Sequence, residues 1–236
     1  MNDRSRPHRV AIYFAPDPES EAWVRGSTWL GRCAWRGQPL TQAPVDGLSP
    51  AQFEAVTAEP RRYGWHATLK APFRLAPGQD LGSVRAALQR LCAGRRPFDI
   101  GSLQVARLDG FLALRPSPAE AALDALAADC VRALRPLAAP LDEAELARRR
   151  RAGLTPEQDA LLLAWGYPWV MQHFRFHLSL TGPLAALGSE AQSHLLAAAT
   201  RHFEDLPSWR VDRLSVFVEP EAGADFLLHE QVAFHP

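Results

Sequence analysis

The chain has 236 residues, with 26 basic and 26 acidic side chains and a formal net charge of zero. At 47% apolar and 22% charged residues it has a globular composition, which excludes disorder along the whole chain. The balanced charge gives no basic footprint of the size long nucleic acids require, and no apolar run approaches the roughly 18 residues of a membrane span.

Arg9 to Ala15 reads as a short buried strand. Its apolar run is too short for a secretion signal, and Pro16-Asp17 ends it. A helix follows over 19–34, with Trp23, Leu30 and Ala34 turned inward. A Pro/Gly-rich loop spans 37–50, and Ser49-Pro50 opens a short helix that ends near Thr57. Residues 62–70 read as a strand, and 81–93 as a helix burying Leu81, Val84, Leu88 and Leu91. Strands at 97–107 and 110–115 are joined at Asp109-Gly110, a hairpin signal.

Helices are expected at 118–135, 142–151 and 155–165. Asp142 with Glu145, and Thr155 with Gln158, have capping-box spacing, and Pro156 suits a first helical position. The run Arg148 to Arg151 reads as a solvated helix face. A strand at 173–181, a helix at 184–203 and a strand pair at 209–218 and 226–233 complete the chain. Cys33, Cys92 and Cys130 are scattered and odd in number, so they suggest neither a disulfide framework nor a zinc site, and a cytoplasmic protein is expected.

Two segments share the pattern H-x-[T/S]-L-x-x-P: His66 to Pro72 and His177 to Pro183, 111 residues apart. At the same offset Phe98 corresponds to Trp209, Leu103 to Leu214, and Val105 to Val216. Each copy runs strand, helix, strand, strand. The expectation is an α+β, bilobal protein in which two pseudo-symmetric lobes place antiparallel sheets on either side of a central cleft. The first motif lobe would cover 62–117, a helical connection 118–165 and the second lobe 166–236, with the strand at 9–15 added to them.

Side chains alternate along a strand. Phe174, Phe176, Leu178 and Leu180 share one face of the second motif; Arg175, His177, Ser179 and Thr181 share the other. In the first motif Trp65, Ala67, Leu69 and Ala71 oppose Gly64, His66, Thr68 and Lys70. Each polar face therefore carries an imidazole, a hydroxyl and a longer polar side chain. Imidazole titrates near neutral pH, so a pair suits acid–base work. Thr68 and Ser179 can donate hydrogen bonds to phosphate oxygens, and Lys70 and Arg175 can balance phosphate charge. Lys70 is the only lysine among 26 basic residues. Tyr13 and Tyr63 are placed to line the same cleft, with Thr181 beside them. If the motifs face one cleft, the His66 and His177 rings should lie about 5–8 Å apart. The alternative is a metal held by His66, His173 and His177, but no carboxylate or thiolate cluster flanks the motifs, so no metal is expected.

These residues resemble the two-histidine (2H) phosphoesterase superfamily, whose signature is two H-x-[T/S] motifs in a bilobal α+β fold. The strings RRYGWHATLKAPFRL and WGYPWVMQHFRFHLSLTG look like one branch of it, a set of phosphonate-metabolism proteins found near carbon–phosphorus lyase genes. The resemblance implies catalytic pairs at His66 with Thr68 and at His177 with Ser179, where serine stands in place of the branch's commoner threonine. It further implies a metal-independent, cofactor-free phosphodiesterase opening a small cyclic phosphate. In the phosphonate setting that is the 1,2-cyclic phosphate of 5-phosphorylated ribose, opened to ribose 1,5-bisphosphate. Two alternatives stand: RNA-end processing at 2′,3′-cyclic or 2′-5′ linkages, and a nucleotide-binding module without turnover. The expected partner is a small phosphorylated molecule, with no membrane and no nucleic acid beyond a short strand end; the oligomeric state is left open.

Overall fold

The computed structural model describes residues 6–117 and 120–235. Its helices begin where side chains satisfy the free N–H groups of the first turn. Ser20 accepts from the Trp23 N–H to open α1 (Glu21–Leu30), and Gly31 closes it at a left-handed φ of 80°. Ser49 and Gln52 form a reciprocal capping box at the start of α2 (Pro50–Tyr63). This helix runs past the expected end near Thr57 and carries Pro60 inside it. Proline has no N–H to give to the carbonyl four residues back. That carbonyl, on Val56, accepts instead from the Gly182 N–H at 2.6 Å, which ties α2 to the end of the second motif.

The remaining helices are α3 (Leu81–Cys92), α4 (Ala121–Leu134), α5 (Glu143–Arg150), α6 (Pro156–Trp165) and α7 (Ser189–Phe203). The first turn expected for α4, at 118–119, lies outside the described residues. A short hairpin, β2 (Arg32–Cys33) with β3 (Gln38–Pro39), occupies part of the segment read as helix end and loop. Among the described residues no helix is long and apolar enough to cross a membrane, and the three cysteines are buried and free.

Seven strands form one antiparallel sheet in the order β11-β10-β1-β4-β8-β7-β6. They are β1 (Arg9–Phe14), β4 (Ala67–Phe73), β6 (Leu103–Leu108), β7 (Phe111–Pro116), β8 (Leu178–Ser179), β10 (Arg213–Glu219) and β11 (Leu227–Ala233). The α+β class and the antiparallel pairing are as the sequence suggests. Two separate sheets across a cleft are not what forms: the motif strands β4 and β8 are neighbours at the middle of a single sheet. The repeat units are also interleaved. β4 belongs to the half of the sheet that holds β10 and β11 from the second unit, while β8 adjoins β6 and β7 from the first. Helices follow their hairpins, with α3 packed on β10 and β11 and α7 on β6.

A twofold relation is visible in the register. Ala67 pairs with Leu178 on β4 and β8. Asp99 pairs with Arg210 on the small sheet of β5 (Phe98–Asp99) and β9 (Arg210–Val211). Residues 67 and 178, like 99 and 210, are 111 apart, the offset of the repeat itself. Antiparallel strands on which a residue meets its own counterpart are related by an axis through that pair. The symmetry breaks at β1, which takes the place beside β4 that β7 takes beside β8 and leaves β11 at the edge.

Candidate active site

Ala67 and Leu178 are buried in the core. Strand alternation turns their neighbours to the opposite face. Continuing the Ala67–Leu178 register by one residue each way sets His66 opposite Ser179 and Thr68 opposite His177. In register, each histidine is thus opposite the hydroxyl residue of the other motif. The two histidines are diagonal neighbours, a separation of about 7–8 Å between α-carbons. All four side chains line one cleft of about 720 Å³.

The two imidazoles are held alike. His66 Nδ1 is 2.8 Å from the carbonyl of Gly64, and His177 Nδ1 is 2.7 Å from the carbonyl of Arg175. A carbonyl can only accept, which assigns the proton to Nδ1 in both rings and leaves Nε2 as the nitrogen without it. At His66 that nitrogen is 3.2 Å from Thr68 Oγ1. Gly64 takes φ 81°, in the left-handed region, and a side chain there would collide with Ala34 Cβ at 2.5 Å.

Burial, opposed in part by the Gly64 carbonyl and reinforced by His177, lowers His66 to a pKa of about 4. Burial also lowers His177, with the Arg175 carbonyl acting the other way and the Arg175 charge adding to the shift. Tyr13 stacks on the His66 ring at a centroid distance of 3.7 Å. Burial raises the Tyr13 hydroxyl well above its ordinary value, so it stays protonated.

Of the other expected residues, Tyr13, Tyr63 and Thr181 reach the cleft. Thr181 is buried and its oxygen accepts the Leu112 N–H at 3.0 Å, which fixes the hairpin against the motif. Arg175 is half exposed, ion-paired with Asp109 at the tip of the β6–β7 hairpin, and borders the adjoining pocket below His177.

Lys70 is not in the cleft. β4 carries a bulge: Tyr13 pairs with Thr68 but Ile12 with Lys70, so Leu69 is the extra residue. A bulge reverses the alternation beyond it. Lys70 therefore shares the core face with Ile12, is 3% exposed and lies over the Phe73 ring at 5.0 Å. Burial, then the Arg135 charge, lowers its pKa to about 8.

The cleft holds residues that the sequence reading passed over. Tyr167 completes the set, so all three tyrosines of the chain line it. Arg9 and Arg62 line one wall, and Arg148 and Arg149 of α5 another. Arg9 and Arg62 both bond the buried carboxylate of Glu219. Burial would raise that carboxylate, but the hydrogen bond and charge of Arg9, the Gly223 N–H and Arg62 hold it below the usual range. Alternation along β1 would have placed Arg9 with Tyr13. No local signal marks the others. Among the described residues no three or more His, Cys, Asp or Glu cluster closely enough to hold a metal ion.

The fold and cleft define an α+β protein with paired H-x-[T/S] motifs on the two central strands of one antiparallel sheet. The chain belongs to the DUF1045 family, described as a protein of unknown function, whose model matches residues 68–227. It is 36% identical over 229 residues to the ribose 1,5-bisphosphate phosphokinase PhnN of Janthinobacterium sp. (strain Marseille), covering 96% of this chain and 51% of that protein. It is 42% identical over 220 residues to the protein of the same name from Laribacter hongkongensis (strain HLHK9), covering 93% of this chain and 50% of that one. The chain thus spans about half the length of the curated relatives it matches. A phosphoesterase crystal structure is similar at a TM-score of 0.45 and 12% identity, over 98% of this chain and 99% of that one.

Proposed function

We propose that the cleft opens a small cyclic phosphodiester by acid–base catalysis between His66 and His177. The observation that carries the reading is the matched anchoring of two imidazoles, each with Nδ1 held by the carbonyl two residues back, in one cleft lined by arginines. One Nε2 takes a proton from water as the water oxygen bonds to phosphorus. The other, protonated, gives its proton to the sugar oxygen as the ring P–O bond breaks. Water is consumed and a phosphomonoester is released. Thr68 and Ser179 hydrogen-bond the non-bridging oxygens, where charge develops.

The substrate proposed is the 1,2-cyclic phosphate of 5-phosphorylated ribose. Its opening yields ribose 1,5-bisphosphate, the compound for which the longer relatives are named. A chain that matches half of such a protein is suited to making that compound in the step before. The test is turnover of small cyclic phosphates with a chelator in the buffer. His66→Ala and His177→Ala should each lower turnover by about 10²–10⁴-fold, and the double variant should be little worse. A single variant at near-normal rate would return that histidine to structure, and activity restored only by added metal would overturn the scheme.

A further inference from the structure

Four arginines and a single carboxylate, Glu59, line the cleft among the described residues. Arg9 and Arg62 are already engaged by Glu219. Arg148 lies 3.9 Å from Glu145, whereas Arg149 has no carboxylate within ion-pair distance among the described residues. Its Nε is buried with no hydrogen-bond partner among the described residues, and its guanidinium lies over the Tyr167 ring at 5.6 Å. Burial lowers its pKa, with Tyr167 and Glu145 acting the other way and Arg148 and Arg9 adding to the shift, so this cation is held where solvation is poor. A partly buried guanidinium whose Nε has no hydrogen-bond partner is completed favourably by an anion.

Its position is fixed by helical spacing. Arg148 and Arg149 lie three and four residues after Glu145 on α5, and both line the cleft together with Ala152 in the turn that follows. Arg150 points away and pairs with Asp159 at 2.6 Å. Arg74, one residue beyond β4, holds the first turn of α5 through Asp142 at 3.0 Å and Glu145 at 2.8 Å. The helical connection therefore brings two arginines into the cleft that holds the histidines.

We propose that Arg148 and Arg149 form a second anion subsite, which takes a non-reacting phosphomonoester of the substrate while the histidines act on the cyclic phosphate. The subsite rests on the reaction proposed above and adds its specificity: a substrate with two phosphates, one whose ring is opened by water and one gripped. A planar guanidinium can meet two oxygens of a terminal phosphate at once.

Two measurements separate the subsite from the reaction. The first is calorimetric binding of ribose 5-phosphate, which cannot react. Arg149→Ala should weaken it about 10–100-fold, the worth of a charge-assisted hydrogen bond or two, with Arg148→Ala smaller and Arg149→Lys between them. Arg151→Ala, exposed and outside the cleft, should leave it unchanged. The second is turnover of cyclic ribose phosphates with and without the 5-phosphate. Arg149→Ala should raise KM for the phosphorylated substrate by the same factor and spare the other. Arg149-dependent binding without turnover of any cyclic phosphate would defeat the reaction and keep the subsite. Unchanged ribose 5-phosphate binding in Arg149→Ala, or equal losses on both cyclic substrates, would overturn the subsite.

Discussion

Both histidines are lowered below the ordinary 6.5 by burial, so in the empty cleft both are neutral at neutral pH. Acid–base catalysis needs one protonated and one neutral ring. In the free protein that state is most populated below pH 6.5, and kcat/KM should peak there and fall toward neutrality. The two limbs belong to the coupled pair and not to either ring. An optimum above neutrality would contradict the pairing. Lys70 offers a test of placement. Its amine is charged below about 8 in the folded chain and below 10.5 when unfolded, so the unfolded state holds more protons between these values. Stability should rise with pH across that window, the sign expected of a lysine whose burial disfavours its charge. Lys70→Met should stabilise the protein at pH 7 by up to about 3 kcal/mol, with the gain vanishing as pH nears 10.5, and turnover should not change. Loss of turnover without a gain in urea resistance would put the amine back in the reaction.

At the scale of elements, one close approach decides the sign of a substitution. Alanine is a better helix former than glycine by about 1 kcal/mol, which alone would favour Gly26→Ala in α1. A β-carbon there would lie 2.1 Å from the Trp65 ring, which is fully buried and stacked on Phe203 at 5.4 Å. The ring has nowhere to go, and the variant should lose about 2–3 kcal/mol by urea unfolding. A neutral or stabilising result would show that Trp65 can shift. The same local physics explains what the sequence made legible. Side-chain caps at Ser49, Asp80, Asp142 and Thr155 mark helix starts within a residue or two. The repeat located the four motif side chains that share the cleft. Alternation failed at Lys70 because the bulge at Leu69 is a cross-strand event, specified by how β1 lies against β4 and not by β4 itself. The arginine run on α5 was opaque for a related reason. Four consecutive arginines cover every side of a short helix, and only the docking of Arg74 decides which of them turn inward. Proline at 60 suggests a helix end, whereas the carbonyl it frees has a partner more than a hundred residues away.

For the whole molecule, interleaving of the repeats has a mechanical consequence. Each half of the sheet takes strands from both sides of the helical connection. Chain cut at Gly153 should therefore give two pieces that are each unfolded alone by circular dichroism. Mixed, they should regain structure and cyclic phosphodiesterase activity together. A piece that folds cooperatively alone would mean that the halves are separable. The twofold through Ala67–Leu178 bears on the chemistry as well. Were the same arrangement built by two identical subunits, the dyad would oblige both imidazoles to share one environment, and neither could be specialised as donor or acceptor before substrate arrived. Covalent joining lifts that obligation. Tyr13 stacks on one ring while the other adjoins Phe111 and an arginine. A duplicated architecture thus supplies two equivalent positions, and the single N-terminal strand, present once, makes them different, as the proposed division into proton donor and acceptor requires.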